Sequence, residues 1–218
     1  IANGRMCDYM LMAVEELFEK ANEPMYHIVR DVNSSEVGTR GCLTQLEGKE
    51  DVHILFDFGQ TMMKRMIAVR HSEDEEYEII KLPSIKSIHM DSNIENEDEK
   101  RHQAEELHRY IVAGVIETYT EALKYGTVGW EIVISVASYV KDGEIYGARS
   151  GYAKLCSLSD NYAGYLAATL EILLDRSVMV KLVHDGTAAA LYYKGEKNAV
   201  CITAGTALGV GFPEIELE

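Results

Sequence analysis

The sequence is poor in basic residues, proline and tryptophan. Its 218 residues include 21 lysines and arginines against 36 aspartates and glutamates, with three prolines and a single tryptophan. The formal net charge of −15 argues against binding to nucleic acid, because contacts with the phosphate backbone need a basic patch. No apolar run reaches the ~18 residues that a membrane-spanning helix needs, so we expect neither nucleic acid nor a membrane as a partner.

Cysteine is also scarce, and its spacing excludes the common cysteine-based frameworks. The four cysteines form no CxxC pair, so neither a zinc ribbon nor a disulfide scaffold is indicated; they are Cys7, Cys42, Cys156 and Cys201. The N-terminal stretch lacks the basic segment and apolar block of a secretory signal peptide. We therefore expect a cytoplasmic protein whose thiols are free and buried.

The sequence does contain enough apolar residues for a core, at 47% of the chain, and they are patterned. Three short runs, VHILFDF, MMKRMIAVR and YEIIKLP, are typical of strands joined as a meander. A helical pattern from Lys100 to Tyr125 follows, and then come strand GWEIVISVAS, helix YLAATLEILLDR, strand SVMVKLVH and helix GTAAALYYK. This order predicts an α/β domain in which helices flank a mixed sheet.

The two ends of the chain differ from this central pattern. Residues 1–50 hold one helical pattern, from Cys7 to Lys20, and otherwise lack a clear period, so we treat them as an N-terminal helical extension of unassigned role. Residues 51–194 form the main domain. Within residues 195–218, NAVCITAG and ALGVGF predict a hairpin. Because a lone hairpin is marginal in water, we expect it to be the first hairpin of a truncated second lobe.

Three turns carry residues that suit chemistry, and the first is DFGQT, Asp57 to Thr61. Gly59 allows a ligand to approach the backbone closely, and successive amides in such a turn attract phosphate oxygens. The Thr61 hydroxyl adds a donor, and Asp57 is suited to hold a magnesium ion through water. Taken alone, the motif is more typical of an ordinary turn after a strand.

The second turn lies in TAGTALGVGF, where Gly205 and Thr206 separate two strands and Gly209 and Gly211 lie on the second. Glycine inside a strand indicates close approach of another backbone or a ligand, and the alternative is a tight hairpin with a bulge. The order GxxxxGK[ST] is absent, and so is GxGxxG, which excludes a P-loop and a Rossmann dinucleotide site.

The third turn is HDGTAAAL, where Asp185 follows an apolar strand and opens a helix. One interpretation is that Asp185 simply caps the helix. The other is that it is a general base, which takes the proton of a hydroxyl group while that oxygen attacks a phosphoryl group.

Together, the order and character of the three turns resemble the superfamily of sugar kinases, actin and heat-shock chaperone ATPases, and most closely the ROK (repressor, open reading frame, kinase) sugar kinases. That family has Asp-x-Gly-Gly-Thr, Asn-Asp-x-Asn-Ala-Ala-Ala and Gly-Thr-Gly-Ile-Gly-Gly-Gly. The matching segments here are DFGQT from Asp57, HDGTAAA from His184 and GTALGVG from Gly205. The resemblance covers residues 52–212.

The resemblance implies a ribonuclease H-like, actin-like ATPase domain, present as a first lobe and the start of a second. It implies ATP and Mg²⁺ in a cleft and a sugar as the acceptor, with Asp185 as the base and Asp57 at the metal. The implied phosphate contacts are Gly59, Gln60 and Thr61 from one lobe, and Gly205 and Thr206 from the other. Substrate contacts are expected from His184, Gly186, Ser157 and Asn161, the last two in a polar loop that falls beside the cleft. The sequence leaves open whether the protein forms a homo-oligomer.

The sequence also departs from the family pattern at several positions. Gln60 replaces a glycine, His184 replaces an asparagine, and SVASYV lacks the usual Pro-Gly. These departures keep three alternatives open. The protein could be a catalytically degenerate relative that senses a sugar or a nucleotide, an ATPase of the same superfamily with water as the acceptor, or a generic α/β domain whose turns match by chance.

Overall fold

The structure, a computed structural model, describes residues 4–22, 28, 36–72, 75–146, 150–204 and 208–214. Its helices are α1 (Gly4–Ala21), α2 (Val37–Leu43), α3 (Glu97–Ala122), α4 (Tyr162–Leu174) and α5 (Asp185–Leu191), with a 3-10 helix at Gly151–Ser157. Its strands are β1 (Val52–Phe58), β2 (Met62–Val69), β3 (Glu78–Lys86), β4 (Val128–Val136), β5 (Tyr139–Lys141), β6 (Glu144–Tyr146), β7 (Met179–His184), β8 (Cys201–Ala204) and β9 (Leu208–Gly211).

Five of these strands form one mixed sheet in the order β3-β2-β1-β4-β7. The expected meander is confirmed, since β1 pairs with β2 and β2 with β3 in antiparallel fashion, whereas β4 lies parallel to both β1 and β7. The last residues of the three parallel strands are neighbours in register: Phe58 lies opposite Val136, and Val136 opposite His184. We call this side of the sheet the carboxyl edge.

Helices cover both faces of the sheet, which explains why β1 and β4 are nearly continuous apolar runs. Side chains alternate along a strand, so Ile54 and Phe56 pack with α3 and α4 in the larger core. Leu55 points the other way and packs with Cys42 and Ala188 in a smaller core. The expectation of an α/β domain with a mixed sheet and flanking helices is therefore confirmed.

The part of the N-terminal segment from residue 36 to residue 50 packs on the sheet. Helix α2 lies so close to α5 that a Cβ atom on Gly41 would be 1.7 Å from the carbonyl oxygen of Ala188. In α1, by contrast, the described side chains are exposed except for Leu11 and Phe18, which are half-buried. The division of the chain at residues 50 and 194 stays a prediction.

The hairpin of β8 and β9 packs against the start of α5. A Cβ atom on Gly211 would lie 2.0 Å from the carbonyl oxygen of Gly186, and one on Gly209 would lie 3.6 Å from Oδ1 of Asp185. Gly211 therefore marks close approach of the chain's own third turn, whereas a Cβ atom on Gly209 would meet Thr203 Oγ1 of β8 at 2.4 Å.

The connection between β4 and α4 holds a hairpin that the sequence analysis left unassigned. Strands β5 and β6 pair in antiparallel fashion around Asp142 and Gly143, whose φ angles of 52° and 83° are both positive. Asp-Gly is a preferred pair for such two-residue turns.

Within the described ranges, no helix has the length and apolar character that crossing a membrane requires.

Candidate functional site

The carboxyl edge brings Asp57 and Asp185 close together, although they are far apart in the chain. Asp57 lies opposite Ser135 in register, and the Ser135 hydroxyl donates to Asp57 Oδ1 over 3.5 Å. Asp185 directly follows His184, the last residue of β7. The pKa of Asp185 is raised, first by burial and then by the negative charge of Asp57.

Asp185 is the first residue of α5, and the N-cap position belongs to His184, which makes no side-chain cap hydrogen bond. The interpretation of Asp185 as the N-cap is therefore wrong by one residue. Its Oδ1 accepts a hydrogen bond of 2.7 Å from the backbone N–H of Gly186. That bond and the neighbouring His184 both lower the pKa of Asp185, but burial and Asp57 outweigh them.

His184 lies between Asp185 and an aromatic ring. Its Nε2 is 3.1 Å from Asp185 Oδ1, and its ring stacks on Tyr139, with ring centroids 4.9 Å apart and an interplanar angle of 18°. Tyr139 belongs to β5, which the sequence analysis did not assign, so this neighbour could not be foreseen.

Lys64 is a charged member of the site that the sequence analysis missed. It lies opposite Asp57 on β2, and its Nζ is 2.5 Å from Asp57 Oδ2. The signal was present, because cross-strand neighbours in a hairpin of known turn can be paired by counting. Lys64 therefore compensates the charge of Asp57.

The turn after β1 is held by its own hydrogen bonds. The N–H of Gly59 donates to the carbonyl oxygen of Met62 over 3.0 Å. The Gly59 carbonyl accepts from the hydroxyls of Ser87, at 2.7 Å, and Tyr152, at 2.9 Å. The backbone N–H of Ser87 donates to the Thr61 carbonyl over 3.0 Å, so the turn is firmly attached to the segment after β3.

The Gln60 side chain points across this turn to the loop after β4. Its Nε2 donates to the carbonyl oxygen of Ala137 over 3.1 Å and lies 3.4 Å from Ser150 Oγ. Ser150 Oγ donates to the same carbonyl at 2.9 Å. Gln60 thus connects two loops at the carboxyl edge.

The remaining predicted residues differ in how the structure places them. Gly205 and Thr206 lie outside the described residues. Gly186 is buried against β9, where a Cβ atom would be 2.6 Å from the Val210 carbonyl oxygen. Ser157 donates to the Lys154 carbonyl oxygen.

Asn161 has a structural role that the sequence analysis did not weigh. It is the N-cap of α4, where its Oδ1 accepts from the N–H of Gly164 over 2.9 Å. This bond satisfies one of the free donors at the start of the helix. That Asn161 also binds substrate stays a prediction.

A pocket of about 430 Å³ lies beside the Gln60 turn. Its polar lining includes Asp91, Lys100, Tyr146, Ser150 and Lys154, but neither Ser157 nor Asn161. Lys154 is almost fully buried, and its Nζ donates to Gln103 Oε1 and to the carbonyl oxygen of Asp91. Ser150 therefore faces both this pocket and the Gln60 side chain.

Metal ligands are few in the described part of the chain. No group of three or more His, Cys, Asp or Glu side chains is arranged there to hold an ion. Mg²⁺ in nucleotide sites is usually held by one or two carboxylates together with phosphate oxygens and waters. Asp57 at the carboxyl edge fits that smaller donor set.

Comparisons with known proteins find similarity in structure but none in sequence. No family model matches the sequence, and no curated protein matches it. The chain is similar to the crystal structure of a ROK family glucokinase from Streptomyces griseus in complex with glucose and AMPPNP, with 19% identity and a TM-score of 0.45. The likeness covers 75% of this chain and 44% of the glucokinase, so this chain spans less than half the length of that protein. Similarity at this level leaves the function to be argued from the site itself.

Proposed function

We propose that this chain belongs to an ATP-dependent sugar kinase with an actin-like ATPase fold, and that it transfers the γ-phosphoryl group to a sugar hydroxyl. The observation that carries the proposal is that Asp57 and Asp185 lie at the same carboxyl edge of the sheet. In open α/β sheets, ligands bind outside the carboxyl ends of the strands. Asp57 and Asp185 at this edge belong to the two turns that resemble the ROK motifs.

Asp185 is the general base in this proposal. It takes the proton of the acceptor hydroxyl while that oxygen attacks the γ-phosphorus and the bond to the bridging oxygen of ADP breaks. Its raised pKa supports this role, because a carboxylate that holds a proton more tightly is a stronger base.

In this proposal, positive charge at the carboxyl edge balances the negative charge of the phosphates. Lys64 lies beside Asp57, and Asp57 would hold Mg²⁺ through water. When bound, the metal supplies positive charge that neutralises the phosphate oxygens. Gly59, Gln60 and Thr61, together with Gly205 and Thr206, are the proposed phosphate contacts.

The acceptor is proposed to bind near the third turn. Its contacts come from His184, Gly186, Ser157 and Asn161. The pocket beside Ser150 offers hydroxyl, carboxylate and ammonium groups of the kind that sugar hydroxyls need. A cytoplasmic location and a homo-oligomer stay predictions.

The test is an ADP-release assay with ATP and Mg²⁺ across a panel of hexoses and amino sugars. We expect turnover with at least one sugar, and a fall of about 10²–10⁴-fold in Asp185→Asn with nucleotide binding retained. The matched control is Asp175→Asn, a carboxylate at the C-cap of α4 with φ of 50°, a conformation that asparagine tolerates. Full sugar-kinase activity in Asp185→Asn would show that the base is misassigned.

A sugar- or nucleotide-sensing relative is a second candidate, favoured by the Gly59 turn. There the Gly59 N–H donates to Met62, and the Gln60 side chain fixes the turn to the next loop. A sensor would bind a sugar in calorimetry without releasing ADP. Release of ADP that does not depend on sugar would instead indicate an ATPase with water as the acceptor.

A further inference from the structure

The Gln60 side chain makes a polar contact between the turn after β1 and the loop after β4. Its Nε2 donates to the carbonyl oxygen of Ala137 over 3.1 Å and lies 3.4 Å from Ser150 Oγ. A carbonyl oxygen only accepts hydrogen bonds, so the amide nitrogen of Gln60, and not its amide oxygen, has to face Ala137. The partner therefore fixes the orientation of the Gln60 amide.

Ser150 extends this contact to the 3-10 helix. Its Oγ donates to the same Ala137 carbonyl oxygen at 2.9 Å, and it accepts from the backbone N–H of Tyr152 at 3.2 Å. The second bond makes Ser150 the N-cap of the 3-10 helix. The hydroxyl that contacts Gln60 is thus the same hydroxyl that starts this helix.

The 3-10 helix is attached to the Gly59 turn at a second place. Tyr152 is fully buried, and its hydroxyl donates to the Gly59 carbonyl oxygen at 2.9 Å. Its ring stacks on Phe58, with ring centroids 6.1 Å apart and an interplanar angle of 15°. The turn and the 3-10 helix are therefore parts of one connected unit.

The same helix forms a wall of the pocket of about 430 Å³. The wall residues from the N-cap and the helix are Ser150, Ala153, Lys154 and Cys156. A ligand in this pocket therefore touches the unit that also holds the Gly59 turn.

The charges that line the pocket favour a neutral ligand. An ammonium group has three donors, and Lys154 Nζ donates to the carbonyl oxygens of His89 and Asp91 and to Gln103 Oε1. The Nζ of Lys100 lies 3.4 Å from a carboxylate oxygen of Glu97. Both ammonium groups of the pocket thus already have oxygen partners. The Asp91 carboxylate adds negative charge, so we expect hydroxyl groups and not an anion as the ligand.

We propose that Gln60 is a positioning residue that couples the Gly59 turn to this pocket. A phosphate group bound at the turn orders the pocket wall through Gln60 and Ser150, and the pocket then binds a neutral hexose more tightly, because less ordering is left for the hexose to induce. By linkage, the hexose strengthens nucleotide binding by the same factor. The inference rests on the proposed function and assigns a use to a side chain where the ROK pattern has glycine.

The test follows amide hydrogen exchange in the pocket wall after addition of AMPPNP and Mg²⁺ without sugar. The N–H groups of Tyr152 and Ala153 both donate to Ser150. In the wild type they should exchange about fivefold more slowly once the nucleotide is bound, the size of effect expected for one hydrogen bond. Gln60→Met keeps a side chain of similar length but has no donor, so this slowing should be lost.

The matched control is Gln45→Met, which replaces a glutamine after α2 whose Nε2 lies 3.4 Å from Thr44 Oγ1. It should keep the wild-type response to the nucleotide. The N–H of Gly164, which donates to Asn161 at the start of α4, is the internal reference. A general loss of stability in Gln60→Met would also speed exchange there, whereas loss of the coupling would not.

Calorimetry tests the reciprocal effect. Saturating glucose should lower the Kd of AMPPNP about fivefold in the wild type and leave it unchanged in Gln60→Met. Three results would each overturn the coupling and leave the kinase proposal standing. They are the same Kd with and without glucose in the wild type, unchanged exchange at Tyr152 when AMPPNP is bound, and a wild-type response in Gln60→Met.

The kinase proposal and the coupling fail in different experiments. If AMPPNP slows exchange at Tyr152 but no sugar is phosphorylated, the kinase function is refuted and the coupling stands, as in a sensor. If calorimetry shows no binding of AMPPNP, both proposals are refuted.

Discussion

Two carboxylates at opposite ends of the sheet, Glu131 near the start of β4 and Asp185 at the carboxyl edge, have contrasting environments. Glu131 is fully buried, and its Oε1 is 2.8 Å from Lys181 Nζ. Its Oε2 accepts from the backbone N–H groups of Glu47, at 2.8 Å, and Gly48, at 2.6 Å. Asp185 is 37% exposed and has Gly186 N–H and His184 as neighbours, with Asp57 adding like charge.

The pKa values of these two groups move in opposite directions. Burial alone would raise the pKa of Glu131, but Lys181 and the two N–H donors lower it below its ordinary value. Burial also acts on Asp185, where Asp57 reinforces it and the pKa is raised. One end of the sheet thus stabilises its carboxylate and the other leaves it partly uncompensated, which is the usual difference between a structural ion pair and a reactive group.

Removing each carboxylate in turn tests this difference between the two ends of the sheet. Glu131→Gln leaves Lys181 without its buried partner, and we expect the free energy of unfolding to fall by about 3 kcal/mol. Asp185→Asn removes an unfavourable charge and should not destabilise the protein. Urea denaturation measures both. Equal destabilisation by the two variants would show that the two ends do not differ in this way.

The contributions of Glu131 and Asp185 to stability should change with pH in opposite directions. The pKa of Glu131 is lower in the folded state, so its contribution is present above the ordinary value of 4.5 and is lost as pH falls through the folded value. The stability difference between wild type and Glu131→Gln should therefore narrow in acid.

For Asp185 the folded pKa is raised, so its ionised form destabilises the fold above that pKa. The wild type should lose stability relative to Asp185→Asn as pH rises through it. Thermal unfolding of the three proteins between pH 3 and pH 8 provides the measurement. Parallel curves would contradict both assignments.

Helix α2 packs on α5, and two of its glycines form a matched pair. A Cβ atom on Gly41 would meet the Ala188 carbonyl of α5 at 1.7 Å, whereas one on Gly38 would meet nothing within 4 Å. Gly41→Ala should cost about 1–3 kcal/mol through overpacking against backbone. Gly38→Ala should stabilise by up to about 1 kcal/mol through helix propensity. Equal midpoints in urea would show that α2 does not pack on α5.

The strands at the centre of the main domain could be predicted because helices bury both faces of the sheet, and β1 and β4 are therefore apolar runs. Helix α2 was missed because VGTRGCL has no apolar period: it packs through Gly41, and a missing side chain leaves no hydrophobic signal. The β5–β6 hairpin was missed because its strands have three residues each, too few to show alternation.

The site was predicted in part for a similar reason. Asp57 and Asp185 were found because each follows an apolar strand, and parallel strands end at one edge. The pairing of Glu131 with Lys181 could not be found, since it joins residues 50 positions apart whose contact depends on β4 lying beside β7. The stacking of Tyr139 on His184 depends in the same way on where a short hairpin lies.

The smallest predicted effect concerns Asn161, where a cap and a substrate contact make different predictions. Loss of the bond to Gly164 N–H in Asn161→Ala should cost about 1 kcal/mol. Asn161→Asp should restore it, because aspartate caps equally well and adds a favourable charge at the helix start. Stability from urea denaturation and KM for the sugar are measured together. A purely structural cap leaves KM unchanged in both variants, whereas a raised KM in Asn161→Asp at full stability would place the amide in contact with the substrate.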